Sequence, residues 1–221
     1  MSSGTEDITP AAGRFLPVGS YDAVTSLLMR ESRWRPQLVA DIAGRSGGGT
    51  SVVEVGAGTG LLTRELVDGL PRATVTAVEP DDRARAIAAK SGRAQSAVWS
   101  DARAEDLPLD DASQEAVVMA LMLHHLEPDG KRLALAEARR VIKPGGALYV
   151  ADFVEPQDLL MAALFSVIQL TDGEASTADH RAGRLPVFIE RAGFSAPEPV
   201  VRLRTAVGSF AVLRCPLPQA A

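Results

Sequence analysis

The segment from Ser51 to Leu62 reads SVVEVGAGTGLL and places three glycines directly after a β-branched apolar run. β-branched residues favour strands, and the apolar residues that follow Gly60 suit a helix. Glycine adopts unusual φ angles and lets a ligand contact the main chain. In open α/β sheets, ligands bind at the C-terminal ends of the strands. The segment therefore predicts a strand, a ligand-binding turn and a helix.

The same alternation of strands and helices continues along the chain. Further strands are predicted at residues 73–79, 96–100, 115–122 and 147–153, with helices between them. Such alternation indicates a parallel sheet that is covered by helices on both faces. Residues 199–215 differ, because two apolar runs flank a Val-Gly-Ser turn, which is a hairpin signal. We therefore expect antiparallel strands near the C-terminal end of the sequence.

Two helices are predicted before the glycine-rich segment. Ser20 has the side chain of an N-cap for the first helix, and Pro36 and Gly44 suit the start and the end of the second. We expect residues 1–45 to form an N-terminal helical lid. Residues 46–221 then form the core, with residues 155–195 as a lid inserted over the substrate.

Composition and charge limit the class of protein. The chain has 221 residues and a net charge of −5. Acidic proteins bind nucleic acid weakly, because that affinity comes mostly from clustered Lys and Arg. The single cysteine, Cys215, is expected to be a small buried apolar residue; it makes neither a disulfide nor a thiolate metal site, and we expect no metal.

No apolar run reaches the roughly 20 residues that cross a bilayer, and the N-terminus does not resemble a signal peptide. These features favour a cytoplasmic location.

The glycine-rich turn departs from the common nucleotide-binding patterns. It reads GxGxG, and Leu61 stands where the dinucleotide fingerprint has its third glycine. Glu79 ends the second predicted strand, where a carboxylate accepts hydrogen bonds from a ribose diol. Glu54 lies inside the first strand and is costly to bury without a partner. A backbone amide, an arginine or a nearby cationic ligand would each explain Glu54.

These motifs resemble the class I S-adenosylmethionine-dependent methyltransferases, and most closely the ubiquinone/menaquinone-biosynthesis group. The resemblance covers residues 21–153 with specific motifs. It implies a Rossmann-like, doubly wound sheet of seven strands, mostly parallel, with an antiparallel last strand. It also implies S-adenosyl-L-methionine as the cofactor and S-adenosyl-L-homocysteine as its product.

The resemblance assigns cofactor contacts to four segments. They are Glu54, Gly56, Ala57, Gly58 and Gly60 at the methionyl part, Glu79 and Pro80 at the ribose, Arg103, Ala104 and Glu105 at the adenine, and Ala120 and Leu121 at the sulfonium. Arg103 replaces an aspartate that the family often has, and arginine cannot accept a hydrogen bond. Glu105, Asp101 or a backbone carbonyl takes over the adenine contact, or Arg103 stacks on the ring.

Histidines supply the candidates for acid–base chemistry. His124 and His125 follow the fourth strand, close to the expected methyl group, and act either as a base or as part of the pocket wall. His180 is expected in a loop that lines the substrate entrance. Asp152 ends the fifth strand and either contacts the substrate or is an exposed loop acid. Tyr21 folds over the cofactor or is only a core contact of its helix.

The leading hypothesis is methyl transfer to oxygen, nitrogen or carbon of a small molecule. The sequence after the fourth strand is ALML and lacks the Asn/Asp-Pro-Pro-Tyr/Phe motif of nucleic-acid amine methyltransferases. One alternative is a protein of this fold that binds the cofactor without methyl transfer, as a cyclase, a rearrangement catalyst or a binding module. Another is a nicotinamide-dependent oxidoreductase. We expect no nucleic-acid partner; a homodimer is left open.

Overall fold

The computed structural model describes residues 24–45, 50–92 and 95–218. Tyr21 and Ser20 lie outside the described residues, so the predictions made for them stay predictions. Within the described part, no helix combines the length and the apolar character that a membrane crossing needs.

Seven strands form one sheet in the order β3-β2-β1-β4-β5-β7-β6. The strands are β1 (Ser51–Val55), β2 (Thr74–Val78), β3 (Val98–Ser100), β4 (Gln114–Ala120), β5 (Ile142–Phe153), β6 (Glu198–Thr205) and β7 (Gly208–Pro216). The pairs among β1 to β5 are parallel, whereas β7 is antiparallel to both β5 and β6. The predicted doubly wound sheet and its antiparallel C-terminal strand are confirmed.

Helices connect the strands and follow them on both faces of the sheet. They are α1 (Glu31–Arg45), α2 (Leu61–Gly69), α3 (Asp82–Lys90), α4 (Pro128–Val141), α5 (Leu159–Asp172), α6 (Glu174–Arg181) and α7 (Leu185–Arg191). Residues 24–28 are also helical, and a short 3-10 turn covers Leu123–His125.

The core has two halves because successive residues of a strand point to opposite faces. Val53 and Val117 belong to the half that packs against α4 and α7. Val52 and Val118 belong to the half that packs against α1, α2 and α5. Each such buried side chain contributes about 1.5–3 kcal/mol. The parallel pairing of these strands brings the carboxyl ends of β1, β2, β4 and β5 to one edge of the sheet.

The C-terminal hairpin agrees with its sequence signal. Thr205 pairs with Gly208 across the turn between β6 and β7. Cys215 lies in β7, is fully buried and forms no disulfide, as expected for a small apolar residue.

The predicted start of the second N-terminal helix at Pro36 is wrong. Helix α1 begins at Glu31, and Pro36 lies in its interior. Tertiary contacts hold the turn before the proline: the Trp34 ring lies 5.2 Å from that of Phe210, and Arg35 Nη1 lies 3.5 Å from Glu65 Oε1 of α2. This anchoring compensates for the backbone hydrogen bond that proline cannot donate.

Candidate active site

The glycine turn is held in a left-handed conformation at the end of β1. Gly56, Gly58 and Gly60 have φ angles of 77°, 55° and 78°. The amides of Gly56 and Ala57 both donate to the Val78 carbonyl, at 2.8 and 3.0 Å, which ties the turn to β2. A Cβ added to Gly58 would meet no heavy atom within 4 Å. The main chain of the turn therefore borders open space that a ligand can fill.

Gly56→Ala should destabilise the protein by about 1–3 kcal/mol, because a left-handed non-glycine residue is strained. The added Cβ would also lie 2.9 Å from the Cβ of Met122. Gly44→Ala is the matched control: Gly44 lies within α1, and its added Cβ meets nothing within 4 Å. That change should stabilise the protein by up to about 0.5–1 kcal/mol. Urea denaturation measures both, and equal stability of Gly56→Ala and the parent would contradict the observed turn.

Glu79 closes the turn from the neighbouring strand. Its two carboxylate oxygens accept hydrogen bonds from the amide of Gly58 at 2.8 Å and from the amide of Asp81 at 2.9 Å. Burial raises the pKa of Glu79 above its ordinary value, although the two backbone donors act in the opposite direction. Each oxygen retains a second lone pair, so the carboxylate can still accept from a diol. Pro80 follows directly and is partly buried.

Glu54 is buried beneath the turn, and its partner is neither of the expected protein groups. The hydroxyl of Thr63, in the first turn of α2, donates to Glu54 Oε2 at 2.5 Å. Burial raises the pKa of Glu54 to about 8. The side chain is thus neutral in the ligand-free protein at neutral pH. A cationic ligand above the turn would favour its ionised form.

Glu54 should make the ligand-free protein less stable as the pH rises. Its pKa is raised by folding from 4.5 to about 8, so the folded protein keeps a proton that the unfolded chain releases within that window. The slope from one group is at most about 1.4 kcal/mol per pH unit. Urea denaturation from about pH 5 to pH 8 should therefore show the Glu54→Gln variant gaining stability relative to the parent. A difference that does not change with pH would contradict the assigned pKa.

The segment expected at the adenine lies between β3 and β4. Ala104 is buried, whereas the Arg103 side chain is half exposed, with its Nε 3.6 Å from Glu105 Oε2. The amide of Asp106 donates to the Arg103 carbonyl at 3.2 Å, which makes the segment a tight turn. Arg103 and Glu105 thus pair with each other, and the stacking of Arg103 on the adenine and the acceptance of its amino group by Glu105 both stay predictions.

The end of β4 brings a strained residue to the same edge. Leu121 has a φ of 52° and donates its amide to the Ala151 carbonyl at 2.8 Å. Ala120 and Leu121 are partly buried, and the Met122 side chain packs against Gly56. A left-handed leucine is uncommon and such strain concentrates at functional sites. The 3-10 turn Leu123–His125, which carries both histidines, follows this residue directly.

His124 is fixed by Asp152 from the adjacent strand. Its Nδ1 lies 2.7 Å from Asp152 Oδ1, and its backbone amide donates to Oδ2 at 3.3 Å. Asp152 is fully buried and belongs to β5. The expectation of an exposed loop acid is therefore wrong, because Asp152 is buried in a strand and pairs with His124, whereas its contact with the substrate stays a prediction. The Nε2 atom of His124 points to Asp172 Oδ2 at 3.5 Å.

His180 lies in α6 and not in a loop. It is fully buried, and its Nε2 lies 3.8 Å from Asp152 Oδ2. A buried lysine holds this helix in place, because Lys131 Nζ donates to the Ser176 carbonyl at 2.5 Å. The expected loop is thus wrong, since residues Glu174–Arg181 form a helix that packs against the core, while the place of His180 at a substrate entrance stays a prediction. His125 completes the cluster, with its ring centroid 4.1 Å from that of His124.

The three histidines differ in their electrostatic surroundings. Burial disfavours the charge of His124, but the carboxylates of Asp152 and Asp172 outweigh it and raise the pKa of His124 above its ordinary value. Burial lowers the pKa of His125 to about 3 and that of His180 to about 4. His124 is therefore the imidazole in this cluster that holds a proton most readily.

Asp172, Thr63 and Lys131 were not anticipated as site residues. Asp172 is the last residue of α5, which is distant in sequence from β4. Thr63 lies in the first turn of α2 and belongs to no recognisable motif. Their roles depend on tertiary contacts and have no local signal.

Comparisons with known proteins identify the family. Residues 53–150 match the family described as a methyltransferase domain. A ubiquinone/menaquinone biosynthesis C-methyltransferase of Syntrophotalea carbinolica is 30% identical over 72% of this chain and 67% of its own length. A malonyl-[acyl-carrier protein] O-methyltransferase of Hahella chejuensis is 34% identical over 58% of this chain but only 43% of its own length. The solved structure of an S-adenosylmethionine-dependent methyltransferase of Thermotoga maritima has a TM-score of 0.64 at 24% identity, over 90% of this chain and 96% of that one.

The geometry of the site fits the cofactor of this family. The main chain at Gly58 borders open space, a carboxylate stands at the end of β2, and a buried acid lies below the turn. The nicotinamide-dependent oxidoreductase is set aside, because neither the turn nor the relatives support it. The chain belongs to the class I S-adenosylmethionine-dependent methyltransferases, and S-adenosylmethionine is its methyl donor.

Proposed function

We propose that the chain methylates a small-molecule acceptor whose reacting atom lies beside His124, with this histidine as the general base. The observation that carries the proposal is the 2.7 Å contact between His124 Nδ1 and Asp152 Oδ1 at the carboxyl edge of the sheet. The glycine turn lies at the same edge, since Met122, two residues before His124, packs against Gly56.

The cofactor supplies a methyl carbon that is already attached to a good leaving group. The protein's tasks are to align the acceptor, to exclude water and to remove a proton where the acceptor carries one. Alignment supplies up to about 7–11 kcal/mol of the barrier reduction. Glu79 and the glycine turn hold the cofactor's nucleoside and methionyl parts.

The pairing with Asp152 gives His124 the tautomer that a base needs. An Nδ1–H that donates to the carboxylate leaves the lone pair of Nε2 free to accept a proton. Asp152 and Asp172 then both lie near the imidazolium that forms, since Asp172 Oδ2 is 3.5 Å from Nε2. Positioned bases of this kind typically contribute about 10²–10⁴-fold to a rate.

Residues 155–195 are proposed as the substrate lid. Helices α5, α6 and α7 lie in this range, and α6 brings His180 next to the His124–Asp152 pair. The names of the relatives include ubiquinone/menaquinone biosynthesis and malonyl-[acyl-carrier protein], which supports acceptors that range from quinone precursors to acyl groups. Several apolar side chains of α5 are exposed, Leu159 and Leu170 most strongly, which suits an apolar acceptor.

The setting of the enzyme is also a proposal. The net charge of −5 disfavours nucleic acid as a partner. A cytoplasmic location is consistent with one free, buried cysteine. A homodimer is tested by light scattering after size exclusion.

Turnover with a panel of phenols, quinols, amines and 1,3-dicarbonyl compounds tests the proposed function. Formation of S-adenosylhomocysteine that depends on an added acceptor would support methyl transfer. Calorimetric binding of S-adenosylhomocysteine without turnover over the whole panel would favour the alternative, a protein of this fold that binds the cofactor without transferring methyl.

A further inference from the structure

Two histidines and one aspartate bring their donor atoms together at the carboxyl edge of the sheet. Asp172 Oδ2 lies 3.5 Å from His124 Nε2 and 3.8 Å from His125 Nδ1. All three donor atoms lie within 4.8 Å of one another. Ligands of a tetrahedral ion with bonds of about 2.1 Å are separated by about 3.4 Å. Small side-chain movements would therefore close these donors around one ion.

A second observation comes from the outer contacts of the cluster. Asp152 holds His124 through Nδ1 and thereby directs Nε2 toward the other two donors. A carboxylate that orients the far nitrogen of a ligand histidine is the usual outer partner in metal sites. In this structure Asp152 is fully buried and cannot itself reach solvent. The cluster thus has the support as well as the donors of a metal site.

A third observation is a buried nitrogen that makes no hydrogen bond. The His125 ring is 31% exposed, yet its Nδ1 is buried and makes no hydrogen bond with any described residue. Buried polar atoms of this kind are rare and call for an explanation such as an absent ion.

We propose that His124, His125 and Asp172 bind a divalent first-row transition metal ion such as Zn²⁺. Two imidazoles and one carboxylate suit zinc, cobalt or iron and do not suit calcium or magnesium, which prefer oxygen ligands. Three protein ligands leave coordination positions open for water or an acceptor oxygen. The site departs from the sequence-based expectation of no metal, because its third ligand is distant in sequence.

The ion would take the lone pair of Nε2, the atom that accepts the acceptor's proton in the proposed function. The metal and the proton therefore exclude each other at His124. The proposal that the metal binds depends only on the geometry of the donor atoms. The expected inhibition of methyl transfer depends in addition on the proposed function.

Cobalt is the probe for binding, because its visible spectrum reports the number and type of its ligands. All three histidines of the chain lie in or beside this cluster, so imidazole coordination in tag-free protein reports on this site alone. We expect one cobalt ion to bind per chain, with nitrogen and oxygen ligands and no thiolate, and zinc to displace it. Failure to bind one equivalent of either ion overturns the site.

Variants separate the site from general surface binding. Asp172→Asn and His125→Gln should each weaken zinc binding by more than 100-fold, and Asp152→Asn by about 10–100-fold as an outer contact. Asp68→Asn, an exposed acid in α2, is the matched control and should bind zinc as the parent does. Equal affinity in Asp172→Asn and in the parent, with both proteins folded by circular dichroism, overturns the assignment.

Turnover gives the second readout. Loading with zinc should lower methyl transfer to an acceptor that must lose a proton, and a chelator should restore it. Tight zinc binding without any loss of turnover overturns the inhibition and the base role of His124, while the metal site stands. If zinc does not bind and turnover is normal, the metal site is overturned, while the base role of His124 stands.

Discussion

His124→Ala should lower the turnover of a proton-bearing acceptor by about 10²–10⁴-fold and leave cofactor binding unchanged. Asp152 holds the Nδ1 of this imidazole at 2.7 Å, and Nε2, which lies 3.5 Å from Asp172 Oδ2, is the atom that we propose accepts the proton. None of the contacts of the glycine turn or of Glu79 involves His124, so the affinity for S-adenosylhomocysteine should be that of the parent. Initial rates in chelator-treated protein and calorimetry measure the two quantities.

Rescue by free imidazole distinguishes a base from a packing residue. His124 is buried, so the alanine variant leaves a cavity that imidazole can enter. Partial recovery of turnover would indicate proton transfer at this position, whereas imidazole would not restore turnover if His124 were only a packing residue.

A second variant, Asp152→Asn, should lower kcat with little change in KM, because the amide can favour the wrong tautomer of His124. A turnover within tenfold of the parent in both variants would exclude His124 as the base.

The cofactor half of the site could be predicted because its signal is local. The β-branched run, the three glycines and the acid after the next strand lie in one strand–helix–strand unit. Left-handed φ angles at Gly56, Gly58 and Gly60 follow from residue type, since other residues are strained there. The carboxylate of Glu79 reaches Gly58 because β1 and β2 are adjacent and parallel, which the alternating pattern predicts.

The histidine cluster could not be predicted in the same way because it depends on register. Ala120 pairs with Ala151, and this register places the turn after β4 beside Asp152 of β5. The sequence indicates that both strands end at one edge but not which strands are neighbours. The contact of Asp172 with His124 also requires the position of α5, which apolar packing of Met161 and Phe165 decides.

The errors have a common physical cause. At Pro36, contacts of Trp34 with the C-terminal hairpin outweigh the preference of proline for the start of a helix. At His180, the buried amine of Lys131 and its acceptors hold a polar helix against the core. Both are tertiary effects that local propensity does not contain.

Glu79→Ala should weaken the binding of S-adenosylmethionine by about 1–3 kcal/mol, which is about 5- to 150-fold. The carboxylate can accept from a ribose diol while its oxygens hold the amides of Gly58 and Asp81. Removing it takes away the ribose contacts and leaves two amides without their acceptor, so the turn loses its preorganised shape. Glu79→Gln keeps one acceptor oxygen and should lose less affinity than the alanine variant.

Calorimetry with S-adenosylhomocysteine measures these losses, and urea denaturation separates them from a loss of stability. Glu198→Ala is the matched control, since Glu198 lies on the exposed edge strand β6 and pairs only with Arg214 among the described residues. It should bind the cofactor as the parent does. If Glu79→Ala also binds normally, the carboxylate does not hold the ribose, and the cofactor must enter the turn in another orientation. If the carboxylate holds the ribose by hydrogen bonds, the affinity for the cofactor should be lowest in Glu79→Ala, intermediate in Glu79→Gln and highest in the parent.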